Sequence, residues 1–445
     1  MIYTQIEQLI GNTPLLRLDS TRWGLVHTDL YLKLEYLNPF GSIKDRTAMG
    51  ITNDIDMTAL AAHDQKLLES SSGNTAKALQ LLAGRHGTTL TSVTNRIKVP
   101  EVEQQLRYLG TEIIALPGRS ECPDPQDEGN PLNVIHRMQS EQPTTYHHTR
   151  QYENRENPAI HRETTAREVH DDLGEVDAVV TGVGTGGSSG GFIEFARQHA
   201  LDTRCVGVMA DPSDFLPGIR TRNELFETAL FREDDYHELV EVSSAEALTA
   251  LRRLVVEEGV LAGPTTGANF HAMLRYARQH DALREDGTRR VVVGIACDRL
   301  EPYMSYIMKR QPELFGEVNQ HDIYRVRLTD AERVELERPA AGTTLRWVDE
   351  VDAQVIDTRG VRPYVNFRIP RSLNIPEEYL REMLESGTPF PASRPLLFVC
   401  PTGERSALFA KILRERQYEA YSVAGGLAAW RTAGLPLERG PRGAQ

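Results

Sequence analysis

Cysteine is scarce in this chain of 445 residues: there are four, Cys122, Cys205, Cys297 and Cys400. They lie far apart and form no CxxC pair, which argues against both a disulfide framework and a zinc site, so no metal is expected. Long apolar runs are missing too, and nothing approaches the ~20 apolar residues that a bilayer-spanning helix needs. The opening MIYTQIEQLI has no basic segment followed by an apolar stretch, so no secretory signal is expected and a cytoplasmic location follows by default. Basic residues are outnumbered, 50 Lys plus Arg against 63 Asp plus Glu. The resulting net charge of -13 disfavours a nonspecific grip on nucleic-acid phosphates and points to small-molecule partners. There is no low-complexity tract and no repeat between the two halves. What is present is 40% apolar and 25% charged residues, the balance of a folded soluble chain long enough for two or three cores.

Up to about residue 315 short β-branched runs alternate with amphipathic stretches, as in an α/β fold with a mainly parallel sheet. VDAVVTGVG (Val176 to Gly184) and RRVVVGIAC (Arg289 to Cys297) read as buried strands, and TAREVHDDL (Thr165 to Leu173) as a surface helix. Periodicity fades and charge rises over 316–342, which reads as a linker holding at most a short helix. From 343 to 440 the α/β pattern returns on a smaller scale: AQVIDTR, PLLFVC and AYSVAGG as strands, EEYLREMLES and SALFAKILRERQ as helices. About 100 residues suffice for one small core.

The stretch NPFGSIKDR, Asn38 to Arg46, resembles the cysteine synthase and cystathionine β-synthase group of fold type II pyridoxal phosphate (PLP) enzymes. That resemblance implies two α/β subdomains in residues 1–315 and makes Lys44 the cofactor lysine. An amine is the group such chemistry needs, first to hold the cofactor aldehyde and then to remove the substrate's α-proton. Taken singly, Lys44 is as well read as a solvated surface lysine.

Three further segments match the same family in order. SSGNT (Ser71 to Thr75) resembles the loop that grips the substrate carboxylate, which implies Ser71, Ser72 and Thr75 as substrate-binding and Asn74 as a partner of the cofactor's 3'-oxygen. The family usually has Thr at Ser71 and Gly at Ala76, so the grip departs from the common form. The plain alternative is a helix N-cap. GTGGS (Gly184, Thr185, Gly186, Gly187 and Ser188) follows a strand and precedes a helical stretch, an order that lets bare backbone approach a phosphate. It comes too late in the chain for a dinucleotide fingerprint, which belongs to the first βαβ unit. LAGPTTGA (Leu261 to Ala268) resembles the family turn whose hydroxyl, here Thr265, meets the pyridine nitrogen. A neutral partner there makes the ring a weaker electron sink and favours β-elimination over transamination. Alone it reads as a type II turn around Gly263 and Gly267. IGNTPLLRL and QYENRENPAIH match as well, and the latter implies Gln151 near the substrate carboxylate. CDRLEPYMS departs from the family pattern at the segment closing the pocket, and Cys297 reads as a core thiol at a strand end.

The carboxy-terminal segment resembles a single rhodanese domain through VIDTRG, RIPRSLNIP, CPTGERS and GGLAAW. Cys400 ends an apolar strand and opens a six-residue loop to Arg405. The persulfide loop is expected to comprise Cys400, Gly403, Arg405 and Ser406, with backbone N–H groups and Arg405 stabilising an anionic sulfur at a helix N-terminus. A related phosphatase loop is one residue longer. Arg368 stands where rhodaneses commonly have His.

Together these segments imply β-replacement on an activated serine, O-acetylserine or O-phosphoserine, with sulfur supplied by a Cys400 persulfide. The reverse, loss of sulfur from cysteine with capture by Cys400, stays open, as does a sulfur-carrier or partner-binding module with a scaffolding PLP half. A homodimer, an amino acid substrate and a sulfane-sulfur donor are the expected partners.

Overall fold

The computed structural model describes residues 2–94, 97–116, 130–212, 214–315, 328–388 and 390–439. Cys122 lies outside them. The chain divides into two compact units, residues 1–314 and 315–445.

The first unit holds two sheets. The six-stranded one runs in the order Leu15–Leu18, Thr28–Lys33, Arg290–Ile295, Ala178–Gly182, Arg204–Ala210, Glu238–Val242, parallel throughout except for its first pair. The expected strands thus stand at its centre, clothed on both faces, which is why they read as continuous apolar runs rather than as alternation. A four-stranded parallel sheet, Glu112–Ala115, Leu90–Thr94, Lys66–Glu69, Tyr146–His148, forms the second layer system. In open α/β sheets ligands collect beyond the carboxyl ends of the strands, and the candidate segments lie there. Ser70 to Asn74 follow Lys66–Glu69, the glycine loop follows Ala178–Gly182, and Cys297 and Asp298 follow Arg290–Ile295.

Two elements differ from expectation. LAGPTTGA is not a type II turn: Thr265 sits in the first turn of the helix Pro264–Gln279 and Gly267 lies inside it. Pro264 at the first helical position has a preset φ and no N–H to leave unpaired, so the helix starts there. Gly267 is required by packing, because a Cβ would stand 2.2 Å from the Ala247 carbonyl oxygen of the adjoining helix Ser244–Glu258. The segment read as a surface helix is the end of a longer helical run, with Glu156–Ile160 α-helical, His161–Ala166 π-helical and Arg167–Leu173 α-helical. Its Ala166 and Val169 are buried in the core against Phe192 and Phe195.

The second unit carries a five-stranded parallel sheet in the order Glu337–Arg338, Ala420–Val423, Leu396–Val399, Gln354–Asp357, Leu373–Asn374. Its edge strand and the preceding helix Asp330–Leu336 come from the stretch read as linker. Thr329 caps that helix in a reciprocal box with Glu332, and Arg338 lies 3.7 Å from the Trp347 ring centre and 4.0 Å from that of Tyr421. The short helix allowed in that stretch is thus present, whereas the two-residue strand Glu337–Arg338 is too short to show as periodicity.

Candidate active site

Lys44 opens the helix Lys44–Ile51, and the residues before it are locked. Asn38, fully buried, accepts from Gly11 N at 2.8 Å through its side chain, and its main-chain oxygen accepts from Gly41 N at 2.8 Å. Gly41 turns with φ +92, and a Cβ there would stand 2.9 Å from the Arg299 guanidinium, so the turn requires glycine. The Asp45 carboxylate accepts from Phe40 N at 2.6 Å, and Ile43 N donates to the Cys297 carbonyl at 2.8 Å. The motif is therefore a tight turn strapped to a strand end, and its product is a fixed starting point for Lys44.

Lys44 is partly buried, and burial lowers the pKa of its amine, an effect that the neighbouring Cys297 and Asp298 oppose when ionised. Behind it lies a buried ion network: Arg46 pairs with Glu35 at 2.8 Å and Glu168 at 2.6 Å, and Lys33 pairs with Glu168 at 2.7 Å. Burial pushes Glu168 up, but the hydrogen bonds and charges of Arg46 and Lys33 outweigh it and hold the carboxyl at about 2. Burial raises Asp45 to about 7 and Cys297 to about 12, so this thiol is an inert core group at working pH.

The glycine loop reaches the same neighbourhood through one intermediary, the helical run 156–166. On one side Thr47 Oγ1 meets His161 Nε2 at 3.0 Å, and a Cβ on Gly50 would collide with Ile160. On the other a Cβ on Gly187 would stand 2.0 Å from Asn157 Oδ1, and one on Gly191 2.6 Å from the His161 Cβ. Gly186 takes φ +84 as the N-cap of the twelve-residue helix Gly187–Gln198. Asn157 donates to Thr185 Oγ1 at 3.0 Å and to the Gln151 carbonyl at 2.8 Å. His161 itself is neutral: burial first, then Lys44 and Arg46, hold its pKa well below the imidazole range.

The remaining expected residues fall as follows. Ser71 Oγ accepts from Ala76 N at 3.1 Å, and Ser71 O accepts from Ser92 at 2.5 Å, so this loop is also a helix cap. Ser72 stays half-buried at its tip and Thr75 is buried in the first turn of Asn74–Arg85. Gln151 is buried and donates to the Ser70 carbonyl at 2.7 Å, where it supports the loop from beneath. Asn74 donates to Asp298 at 2.8 Å, and the Thr265 hydroxyl donates to the Pro217 carbonyl. Sequence reasoning missed Asn157, His161, Asp298 and Tyr303; only their place inside matching segments could have flagged them.

These residues fit a phosphorylated aldehyde cofactor. The helix Gly187–Gln198 begins in a glycine turn whose positions 184 and 187 leave no room for a Cβ beside the Gly218 carbonyl and Asn157, so bare backbone lies at a helix N-terminus, which suits an anionic group such as a phosphate. Three buried acceptors, Asn157 Oδ1, Asn269 Oδ1 and Asp298 Oδ1, have no hydrogen-bond partner. Residues 6–298 match the family model described as pyridoxal-phosphate dependent enzyme. This chain is a pyridoxal-phosphate dependent enzyme. Its first unit is similar to the probable cysteine synthase of Bacillus subtilis, 31% identical over 68% of this chain and 97% of that protein. The O-ureido-L-serine synthase of Streptomyces lavendulae is 29% identical over 68% of this chain and 92% of its own length. Among solved structures, that of an O-ureido-L-serine synthase superposes with TM-score 0.60 at 27% identity, covering 75% of this chain and 100% of the other. A hydrogen sulfide-producing enzyme from Fusobacterium nucleatum gives 0.59 at 26% identity, covering 68% and 100%. The PLP-dependent half is thus cysteine synthase-like, and residues 341–433 match a rhodanese-like domain.

In that domain Cys400 is buried and its sulfur accepts from Gly403 N at 3.1 Å, Ser406 N at 3.4 Å and Ser406 Oγ at 3.2 Å. Ser422 Oγ donates onward to Ser406 Oγ at 2.8 Å. Gly403 caps the helix Glu404–Glu415 with φ +87, and a Cβ on Gly426 would stand 2.3 Å from the Cys400 carbonyl oxygen. Arg405 is not brought to the sulfur. It sits in the first helical turn with its side chain 54% exposed, 3.4 Å from Glu377. Arg368 pairs with Glu438 at 2.8 Å. Among the described residues no group of three or more His, Cys, Asp or Glu is placed to hold a metal, and no helix is long and apolar enough to cross a membrane.

Proposed function

We propose that this enzyme replaces the β-substituent of an activated serine, O-acetylserine or O-phosphoserine, with sulfur delivered through a Cys400 persulfide, giving cysteine or a related thiol amino acid. The observation that carries the reading is the presence, in one chain, of a buried lysine amine and a glycine loop packed against the same helical run 156–166, and of a buried thiol ringed by N–H donors. Bound PLP supplies the electron sink that acidifies the substrate's α-C–H bond. Lys44 takes that proton and returns it, a role that a lowered amine pKa favours. Ser72, Thr75 and the N-terminal amides of Asn74–Arg85 bind the substrate carboxylate, and Gln151 holds their loop in place. Residues 184–188 hold the cofactor phosphate.

The sulfur step balances only with a reductant. The Cys400 thiolate takes the outer sulfur of a sulfane donor such as thiosulfate, releasing sulfite; the outer sulfur of the resulting persulfide then needs two electrons to leave as hydrosulfide, and two low-molecular-weight thiols supply them while joining as a disulfide. Cys400 returns as thiol, and the hydrosulfide displaces the acetate or phosphate. Covalent tethering raises the local supply of a scarce nucleophile without any further contact. The test is cysteine formation from O-acetylserine or O-phosphoserine with thiosulfate and thiol as sulfur source. Cys400→Ser is expected to abolish it while leaving the sulfide-fed reaction intact, and Lys44→Ala to abolish both; a thiosulfate-fed rate untouched by Cys400→Ser rejects the delivery route.

The likeness to a hydrogen sulfide-producing enzyme favours a second reading, β-elimination of cysteine. Pyruvate release from cysteine exceeding cysteine synthesis from either activated serine would select it. We read the assembly as a homodimer, which sedimentation measures.

A further inference from the structure

We propose that Asp298 is a positioning residue of the cofactor site, fixing the Asn74 carboxamide and, when ionised, acting on the Lys44 amine two residues beyond its bridge partner Ser42. Its main chain joins two candidate segments. Ser42 pairs with it in an isolated antiparallel bridge, and its carbonyl accepts from Gly263 N at 2.8 Å. The stretches carrying Lys44 and Thr265 are thus tied to one residue. Its side chain joins a third: Oδ2 accepts from Asn74 Nδ2 at 2.8 Å and from the Tyr303 hydroxyl, which itself lies 3.2 Å from Asn74 Nδ2. Oδ1 is buried with no partner, and a Cβ on Gly263 would stand 2.4 Å from it, so glycine is needed there to leave it room.

The charge is harder to explain by stability than the hydrogen bonds are. Asp298 is 4% exposed, and among the described residues no Lys or Arg comes within ion-pair distance of it. A buried carboxylate without a salt bridge costs the fold energy that an amide would not, and such groups mark functional sites. The charged and titratable groups around it are Lys44 and Asp45 on one helix, Lys77 on another, Cys297 and Arg299 on either side, and Tyr303. Burial raises the Asp298 pKa; Tyr303, Lys77, Asn74 and Lys44 oppose this. In its ionised form Asp298 favours the protonated form of Lys44 and so bears on how readily that amine releases its proton.

The inference rests on Lys44 as the cofactor lysine, which borohydride reduction and peptide mapping of the wild-type holoenzyme test separately. The experiment is a pH titration of the bound cofactor's visible absorbance in wild type, Asp298→Asn and Tyr303→Phe, with denaturant stability measured in parallel. Asp298→Asn keeps an acceptor and removes the charge. It is expected to be at least as stable as wild type while its absorbance midpoint falls by about one unit. In the full-length apoprotein, labelling of Lys44 by an amine reagent is expected to accelerate about tenfold at a pH well below the amine's own, because each unit lost multiplies the free amine tenfold. Tyr303→Phe weakens the hold on the carboxylate and is expected to shift the midpoint the same way by less; this arm decides the matter if Asp298→Asn does not fold. Unchanged midpoint and labelling overturn the proposal. So does a variant that loses stability without moving either, which would make Asp298 a purely structural residue.

Discussion

Arg46 is among the largest fully buried side chains, and it lies two positions from Lys44. Its two carboxylate partners leave the network of Lys33, Glu35, Arg46 and Glu168 with no net charge, which is what permits four ionised groups so deep in the first unit. Arg46→Met strands Glu35 without its cation and is expected to lower stability by about 3–5 kcal/mol, read as a drop in the denaturant midpoint. Glu168 gives the pH dependence. Its folded pKa, about 2, lies below its ordinary value, so its contribution is complete above that value and is lost as pH falls towards about 2. Glu168→Gln is expected to flatten the acid limb of the stability curve. Lys44 and Cys400 stood out in the sequence as candidates because each sits in a dense motif. Asp298 did not, since a carboxylate acting across 224 positions on Asn74 leaves no local pattern.

At the scale of elements, central strands were legible as apolar runs, and in the second unit the helices Glu377–Ser386 and Glu404–Glu415 as amphipathic stretches, whereas Gly342–Glu350, Val361–Asn366 and Gly426–Thr432 were not. What escaped was geometry that sequence spacing does not encode. A π-helical turn at His161–Ala166 differs from an α-helical one only in its hydrogen bonds, and such turns concentrate at functional sites. Arg405 follows the loop pattern in sequence, yet the start of the helix Glu404–Glu415 turns it outward to Glu377. The glycine loop allows a sharp prediction. In Gly187→Ala the new methyl meets Asn157, which cannot retreat without breaking its bonds to Thr185 and Gln151. Cofactor affinity, measured by dialysis and absorbance, is expected to fall at least tenfold while far-UV circular dichroism stays unchanged.

At the scale of the whole molecule, the units have cores of their own: Leu30, Leu32 and Phe270 pack together in the first, and the second has one cluster holding Phe398 and Phe409 and another holding Trp430. Trp430 is fully buried and donates to the Pro436 carbonyl at 3.2 Å. Trp430→Ala is expected to destabilise the second unit by about 3–5 kcal/mol. The PLP absorbance and the sulfide-fed rate should survive, and differential scanning calorimetry should show one transition moving and the other staying. The position of Glu337–Arg338 bears on any attempt to graft the sulfur-handling half onto another enzyme. A fragment cut at Thr343 would leave Ala420–Val423 as a bare sheet margin, open to pairing with a stranger's backbone, and would strip the cation from between Trp347 and Tyr421. The portable piece starts at Thr329, and a shorter one should clump.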